Sequence, residues 1–403
     1  MNLAQIVSEA GVPTLTGAGE HGFPYYVNEF WTAKQRQASP LHEVSYRACY
    51  KPQLPRFFIQ GYSQPGDVVY DPFSGRGTTV LEAGLMGRNI VANDVNPLSR
   101  ILAEPRFKIP DLSQVEKRLS HALSSGIVEE SDMDLSMFYH LDTLGELCSL
   151  REYLFLSREA GIEDDVDRWI RMVATNRLTG HSPGFFSVYT LPPNQAVTPH
   201  RQILINQKRG QVPEYRDVKT LILKKSRALL RGLSPYEMSQ LRRAGEMGLF
   251  LSGDARLTQS IEPESVALTV TSPPFLDVVR YAQDNWLRCW FNKIDTQAVA
   301  RQITMARTVE QWAEIMGEVF QELFRITKPG GYVAFEVGEV RKGTVKLEDA
   351  VIPLGLRAGF KCLGVLINQQ EFTKTANIWG ISNNSQGTNS NRIILFTREG
   401  EQC

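Results

Sequence analysis

The stretch that decides the fold is Val68-Val-Tyr-Asp-Pro-Phe-Ser-Gly-Arg-Gly-Thr-Thr79. Its apolar start predicts a short buried strand, Gly75 and Gly77 predict a tight turn, and the residues after them predict a helix over 78–86. The apolar run 90–92 then predicts a second strand. A strand, a glycine turn, a helix and a strand in this order form the repeating unit of α/β proteins with a mostly parallel sheet.

The glycine turn is also a candidate ligand site. Glycine lets the backbone approach a bound molecule closely, and the N-terminus of the following helix offers free N–H groups. Asp94, at the end of the second predicted strand, is well placed to accept hydrogen bonds from both hydroxyls of a ribose. The dinucleotide fingerprint G-x-G-x-x-G fails because Val80 occupies the third glycine position, so a nicotinamide-dependent oxidoreductase is the weakest candidate function. An adenosine-type ligand is favoured.

The α/β pattern returns only after residue 248. The predicted elements there are a strand at 265–270, a helix at 309–324 with Thr308 at its N-terminus, a strand at 332–337, and closing strands at 360–367 and 392–397. About 140 residues between the two halves lack this alternation and contain an amphipathic helical stripe around Trp169. The sequence therefore predicts two halves of one α/β domain, residues 1–110 and 248–403, separated by a mainly helical insert at 111–247.

The charge is distributed unevenly along the chain. The 403 residues include 44 Lys and Arg and 44 Asp and Glu, so the formal net charge is zero, which by itself argues against a polyanionic partner. Residues 168–243, however, hold 14 basic and three acidic residues, a net charge of +11. This excess favours a polyanion-binding role over the alternative of a solvated helix face. The loop 181–194 fits contacts to bases and also fits a well-packed turn.

Composition excludes several other classes of protein. The chain is 42% hydrophobic, contains no apolar run of membrane-spanning length, and begins without the basic and apolar regions of a signal peptide. Its five cysteines are scattered and never spaced as C-x-x-C, so neither a disulfide framework nor a metal site is indicated. We expect a soluble cytoplasmic protein with reduced thiols and no metal.

A second motif, Thr271-Ser-Pro-Pro-Phe275, directly follows an apolar predicted strand. The two prolines remove two N–H donors, so the Ser272 hydroxyl and the Pro273 carbonyl are available as acceptors beside the Phe275 ring. This set suits an exocyclic amino group on a stacked ring. A purely structural turn is the alternative, although the carboxyl end of a strand is where open α/β sheets place their sites.

The two motifs together resemble those of the DNA amino-methyltransferases, which use S-adenosylmethionine to methylate cytosine N4 or adenine N6. The version with Ser272 is typical of the cytosine N4 enzymes. Further similar strings are Lys51-Pro-Gln-Leu-Pro55, Asn93-Asp-Val-Asn-Pro-Leu98, Gly253-Asp-Ala-Arg256 and Lys328-Pro-Gly-Gly-Tyr332. The resemblance covers roughly residues 40–105 and 250–400. The order of cofactor motif, basic insert and catalytic motif resembles the arrangement with the target-recognition region between the two halves.

This resemblance implies a Rossmann-like methyltransferase domain whose basic insert recognises DNA, with S-adenosylmethionine as the cofactor. The catalytic residues it implies are Ser272, Pro273, Pro274 and Phe275. The implied cofactor-binding residues are Lys51, Pro52, Asp71, Pro72, Phe73, Ser74, Gly75, Gly77, Thr78, Thr79, Asp94, Val95, Asn96, Asp254 and Ala255. From charge and position, the expected DNA-binding residues are Arg177, His181, Asn194, Arg201, Lys208, Arg209, Lys224 and Lys225.

The expected function is site-specific methylation of cytosine N4 in duplex DNA, with the target base flipped out of the helix. Methylation at cytosine C5 is disfavoured because none of the five cysteines follows a proline. Adenine N6 methylation is the first alternative, followed by an RNA amino-methyltransferase and a non-catalytic DNA-binding protein. Double-stranded DNA is the expected partner and the nucleoid the expected location, with a companion restriction endonuclease as a further candidate partner.

Overall fold

A mixed sheet of nine strands forms the centre of the protein in the computed structural model, which describes residues 15–18, 21–31, 38–47, 49–124, 131–191, 196–274, 281–302, 306, 308–340, 345–369 and 390–400. The strands of this sheet are β1 Leu15–Ala18, β2 Pro24–Asn28, β3 Val68–Asp71, β4 Asn89–Asn93, β5 Leu249–Leu251, β6 Val266–Thr271, β7 Thr327–Val337, β10 Lys361–Gln369 and β11 Ser390–Thr397. Two short strands, β8 Glu339–Val340 and β9 Val345–Lys346, pair separately.

Helices connect and cover these strands. They are α1 Gln53–Tyr62, α2 Thr78–Leu85, α3 Leu98–Ala103, α4 Leu112–Ser124, α5 Leu141–Glu159, α6 Asp165–Thr175, α7 Pro199–Arg209, α8 Val218–Leu229, α9 Pro235–Met247, α10 Tyr281–Asp284, α11 Trp286–Phe291, α12 Thr296–Gln302, α13 Val309–Ile326 and α14 Leu347–Ala358. Two 3-10 helices, Pro40–His42 and Glu104–Phe107, flank the first α/β unit. Of the helices that the structure describes, none is both long and apolar enough to cross a membrane.

The strand order across the sheet is β1-β2-β10-β11-β7-β6-β3-β4-β5. Strands β5, β4, β3, β6 and β7 run parallel, and β11 lies antiparallel between β7 and β10. The chain runs outward from β3 in one direction and from β6 in the other, so the strand order reverses between these two neighbours. Open α/β sheets bind ligands at such a reversal, outside the carboxyl ends of the strands.

The fold class predicted from the sequence is confirmed. A mostly parallel, Rossmann-like sheet ends in the antiparallel hairpin β10–β11, and the predicted strands lie within one or two residues of the observed ones except at β7, which begins five residues earlier. Thr308 caps α13 by accepting a hydrogen bond from the Gln311 N–H at 3.2 Å. Strands β1 and β2 were not predicted; they extend the sheet beside β10.

Alternating residues of the strands pack into two buried clusters, one on each face of the sheet. Val69 and Leu268 belong to the cluster beneath α1 and α2, whereas Tyr70 and Phe335 belong to the cluster beneath α13 and α14. This alternation is the period of two that strands impose on their side chains. Both faces are apolar because helices cover both.

Among the residues of 111–247 that the structure describes, the insert contains helices α4 to α9. It is mainly helical, as predicted from the sequence. The predicted amphipathic stripe forms the buried side of α6, where Trp169 is fully buried and donates a hydrogen bond to Ser226 Oγ at 3.0 Å. Buried residues of α4, α5, α6 and α8 belong to the same cluster as Val69 and Leu268. The insert therefore packs against the α1/α2 face of the sheet.

Candidate active site

The glycine turn between β3 and α2 has the backbone geometry that only glycine adopts readily. Gly75 has φ 52° and Gly77 has φ 74°, both in the left-handed region. A Cβ at Gly77 would lie 2.7 Å from the Ala103 Cβ, which is too close for any side chain. The Ser74 N–H donates to the Asn93 carbonyl at 2.9 Å, which ties the turn to the end of β4.

Asp94 lies directly behind this turn. Its carboxylate accepts hydrogen bonds from the Gly75 N–H at 2.8 Å and from the Asn96 N–H at 2.9 Å. Burial raises the pKa of Asp94 to about 6, although these bonds oppose the shift. The Asn93 side chain bonds both to the Pro72 carbonyl and to the backbone of Gly253, so the ends of β3, β4 and β5 are held together.

Asp71, at the end of β3, is the centre of a buried polar network. It is 1% exposed and accepts hydrogen bonds from Thr271 Oγ1 at 2.7 Å, from the Tyr50 hydroxyl at 3.0 Å and from the Phe73 N–H at 3.2 Å. Burial raises the pKa of Asp71 to about 6, against the effect of these donors. Thr79 contacts the Tyr50 hydroxyl and donates to the Val270 carbonyl at 3.0 Å. The network thus joins the glycine turn to the strand that carries the second motif.

The second motif follows β6 beside two residues that were not predicted. Trp312 of α13 donates from Nε1 to the Pro274 carbonyl at 2.9 Å and so fixes the backbone of the two prolines. Thr271 pairs with Phe335 of the neighbouring strand β7, so the next residues along each strand, Ser272 and Glu336, lie side by side, and the serine hydroxyl favours the ionised form of that carboxyl by lowering its pKa. Burial raises the pKa of Glu336 to about 7, and Asn391 of β11 donates a hydrogen bond to the same carboxylate.

A sequence feature points to Glu336. It is the only charged residue of the run Tyr332-Val-Ala-Phe-Glu-Val337, near the carboxyl end of a buried strand, and it is 6% exposed. An unpaired carboxylate rarely occupies such a position for structural reasons. Its closeness to Ser272, however, depends on how β6 and β7 pair, which the run does not specify.

A segment before α1 lies against the glycine turn. We call it the Tyr46 segment and define it as residues 42–47, 49 and 50. Arg76 donates from its guanidinium to the carbonyls of His42 at 3.2 Å, Val44 at 3.0 Å and Tyr50 at 3.3 Å. The Asn96 side chain donates to the Tyr46 hydroxyl at 3.1 Å. The Tyr46 segment is therefore held in place by the glycine turn, through Arg76, and by the residues after β4, through Asn96.

The Tyr46 segment also contacts the insert and the helices after the second motif. Its Ser45 N–H donates to Asn176 Oδ1 at 2.6 Å, and its Ser45 carbonyl accepts from Arg288 at 2.9 Å. Arg47 forms an ion pair with Asp284 at 2.5 Å. One short segment thus connects the glycine turn, the insert and α10–α11.

The other predicted cofactor residues lie around the same sheet edge. Pro52, Pro72, Ser74, Thr78, Asn96 and Ala255 are buried, whereas Lys51, Phe73 and Val95 are half-buried. Burial lowers the pKa of Lys51. Asp254 is exposed and forms an ion pair with Arg256 at 2.6 Å.

The predicted DNA-binding residues divide into two groups. Exposed residues of the insert are His181, Arg201, Lys208, Arg209 and Lys224, of which Arg209 also stacks over the Tyr189 ring, 3.8 Å from its centroid. Arg177 is half-buried with its guanidinium 4.0 Å from the Phe185 ring, and Lys225 donates to Glu43 at 3.3 Å, so both make contacts within the protein. Asn194 and Phe275 lie outside the described residues.

Comparison with known proteins identifies the segment that carries the glycine turn. Residues 20–101 match the model of a DNA methylase family. The chain is 32% identical over 93 residues to the type II methyltransferase M.MjaII of Methanocaldococcus jannaschii, covering 23% of this chain and 18% of that protein. It is 21% identical over 305 residues to the type II methyltransferase M.BsoBI of Geobacillus stearothermophilus, covering 70% of this chain and 59% of that protein. The match thus spans less than two thirds of either relative.

Among solved structures, a methyltransferase of Methanosarcina mazei described as SAM-dependent has 11% sequence identity and a TM-score of 0.34, over 85% of this chain and 98% of that one. The family match over residues 20–101 includes the Tyr46 segment, Asp71, the glycine turn and Asp94. Over this segment the chain is therefore similar to the DNA methylase family and to the type II methyltransferases.

Proposed function

We propose that this protein transfers the methyl group of S-adenosylmethionine to N4 of cytosine in duplex DNA, at a specific site and on a base flipped out of the helix. The observation that carries the proposal is the position of Ser272 next to the buried Glu336, beside the Asp71 network and the glycine turn. Three groups thus lie together where the strand order reverses: Ser272 as a hydrogen-bond acceptor, Glu336 as a proton acceptor, and the glycine turn as the cofactor-binding element.

The turn fits the cofactor in shape and in charge. Gly75 and Gly77 have no side chains, so the cofactor can approach the backbone of the turn closely. Ser74 Oγ is buried and has no hydrogen-bond partner among the described residues, so it is available to a bound ligand. Asp94 has acceptor capacity for ribose hydroxyls beyond its two backbone bonds. Asp71 offers a buried carboxylate to the positively charged methionine portion.

The chemistry requires a reactive amino nitrogen, because the lone pair of an exocyclic amine is delocalised into the base. S-adenosylmethionine, which the glycine turn and Asp94 would hold, would supply an electrophilic methyl group to this nitrogen, with S-adenosylhomocysteine as the leaving group. Ser272 accepts a hydrogen bond from the amino group and thereby localises the lone pair on nitrogen. The serine hydroxyl in turn donates to Glu336, which takes up the proton that the methylated nitrogen releases.

The basic insert supplies the DNA-binding surface in this proposal. The five exposed residues His181, Arg201, Lys208, Arg209 and Lys224 are suited to phosphate contacts, and binding should weaken as salt rises. Pro273 presents its carbonyl as a second acceptor, and Phe275 stacks on the flipped base. A DNA substrate would place the protein in the cytoplasm, at the nucleoid.

Mass spectrometry of nucleosides tests this proposal. The protein is expressed in a host that lacks DNA methylation, and the host DNA is digested and compared with DNA from cells that express Ser272→Ala. The expected result is 4-methylcytosine with the wild-type protein and none with the variant. A 6-methyladenine peak would show that the target base is adenine and not cytosine. The absence of both methylated nucleosides would contradict a DNA methyltransferase.

A further inference from the structure

Helix α7 is attached to the insert in an unusual way. Its only buried residue is polar: Gln202 donates from Nε2 to the Tyr189 carbonyl at 3.0 Å and to Asn206 Oδ1 at 2.8 Å. Asn206 in turn donates to the Met137 carbonyl at 2.8 Å. Hydrogen bonds of amide side chains, together with the half-buried Ile205, which packs against the core, therefore fix the orientation of this helix, where most surface helices use a continuous apolar stripe.

The residues that would normally form such a stripe point outward. His200, Ile203, Leu204 and Gln207 have the spacing i, i+3, i+4, i+7, and all four are exposed. Ile203 is 41% exposed and Leu204 is 43% exposed. A helix that turns a mixed apolar and amide stripe toward solvent is suited to contact another molecule.

The charge of α7 indicates what that molecule is. Arg201, Lys208 and Arg209 are basic, and the helix contains no acidic residue. Thr198 caps its N-terminus by accepting from the Arg201 N–H at 3.3 Å, and Gly210 ends it in the left-handed conformation. Arg209 stacks over the Tyr189 ring, 3.8 Å from its centroid, whereas Arg201 and Lys208 are exposed and place positive charge near both ends of a stable helix.

The start of α7 is tied to the helices that follow the catalytic motif. The Ala196 N–H donates to the Asp284 carbonyl at 2.9 Å, and Trp286 donates from Nε1 to the Val197 carbonyl at 3.2 Å. Asp284 and Trp286 flank the junction of α10 and α11, ten and twelve residues beyond Pro274 in the chain. A ligand on α7 would therefore lie next to the helices that follow the catalytic motif in the chain.

We infer that α7 enters the major groove of duplex DNA and reads base pairs next to the target base. This inference rests on the proposed DNA substrate. The major groove accommodates an α-helix, the amide of Gln207 matches the hydrogen-bonding edge of adenine, and the Ile203 and Leu204 side chains match the thymine methyl group. Arg201 and Lys208 can reach guanine edges or flanking phosphates.

The test compares base-pair discrimination before and after removal of the outward stripe. The recognition site is first located by sequencing the methylated positions in host DNA. Methylation rates of the purified full-length wild type and of the double variant Ile203→Ala/Gln207→Ala are then measured on duplexes that carry every single base-pair change of the site. The double variant should lose about tenfold or more of its discrimination at one or two adjacent base pairs, because each direct contact contributes about that much.

Two controls separate base readout from general DNA affinity. Ile162→Ala removes another exposed isoleucine, which is 72% exposed and lies outside α7, and should behave as wild type. Lys224→Ala should weaken binding to all duplexes equally and reduce its salt dependence. Cofactor affinity should be the same in all four proteins. If the double variant discriminates among base pairs as the wild type does, α7 does not read the site.

The outcomes for the inference and for the proposed function are distinct. A wild-type protein that methylates no DNA would contradict the proposed function. In that case the same variants are compared for binding to a randomised duplex pool, and equal sequence preference in wild type and double variant would overturn the inference. If the double variant is unfolded, Gln207→Ala alone, at an exposed helical position, carries the comparison.

Discussion

Thr271 Oγ1 donates a hydrogen bond of 2.7 Å to Asp71 Oδ1, although the two residues lie 200 positions apart in the chain. Thr271 ends β6, from which the proposed catalytic motif continues, and Asp71 ends β3, from which the glycine turn continues. The bond therefore couples the two motifs directly at the reversal of strand order.

Replacing Thr271 with valine should remove this coupling at nearly constant volume. Asp71 loses a donor that favours its ionised form, so its pKa rises above about 6 and the affinity for S-adenosylmethionine falls. Titration calorimetry at pH 7 measures that affinity, and thermal melting should show a stability loss of about 1 kcal/mol. Thr271→Ser keeps the hydroxyl and should restore the affinity; a serine variant as weak as the valine variant would show that the hydrogen bond is not the cause.

Cofactor affinity should depend on pH through Asp71 and Asp94. Burial raises the pKa of each carboxyl to about 6, so both are mainly ionised at pH 7.5 and mainly protonated at pH 5. A cationic cofactor with ribose hydroxyls prefers the ionised forms, so affinity should fall as the pH decreases through 6, by about tenfold per pH unit for each proton that must be released. Calorimetry between pH 5 and 8 measures the trend, and an affinity that stays constant would contradict these assignments.

The sequence predicts the parts of this site that depend on neighbouring residues along the chain. The glycine turn, the strand ends at Asp71 and Asp94 and the position of Ser272 after a strand follow from local patterns, and the structure has them where the patterns indicate. Glu336 and Trp312 reach Ser272 and Pro274 across the sheet and from α13, so their roles depend on strand pairing and helix packing.

The position of each charged side chain in the basic insert also depends on contacts between residues far apart in the chain. A count of Lys and Arg predicts a positively charged region but does not show which side chains face solvent. Lys225 contacts Glu43 of the Tyr46 segment, and Arg177 packs over Phe185. Strands β1 and β2 were missed because strands of four and five residues at a sheet edge carry little hydrophobic periodicity.

Glu336→Gln should abolish the proton acceptor while keeping the shape of the site. Because the pKa of Glu336 is raised to about 7, the wild-type rate of methyl transfer should increase as the pH rises through 7 and level off above it. The variant should be slower by about a hundredfold and lack this acidic limb. Single-turnover rates between pH 5.5 and 8.5 measure both effects, with an unchanged cofactor affinity as the control. A variant that keeps the acidic limb would exclude Glu336 as its source.

Arg76→Lys should loosen the Tyr46 segment. The guanidinium donates to three backbone carbonyls, and a lysine ammonium cannot reach all three in the same geometry. Cofactor KM should increase about tenfold while kcat changes less, and limited proteolysis should cut near residue 47 faster than in the wild type. Arg100→Lys, which alters a partly exposed ion pair with Glu104, is the matched control and should leave both quantities unchanged.

Methyl transfer to cytosine N4 at Ser272 can be measured directly on the purified protein. Purified protein is incubated with S-adenosylmethionine carrying a deuterated methyl group and with duplex DNA from a methylation-free host, and the digested nucleosides are analysed by mass spectrometry. We expect deuterated 4-methylcytosine with the wild-type protein and at least a hundredfold less with Ser272→Ala, at equal cofactor affinity. Equal product from both proteins, or no labelled nucleoside in the wild-type digest, would contradict this expectation.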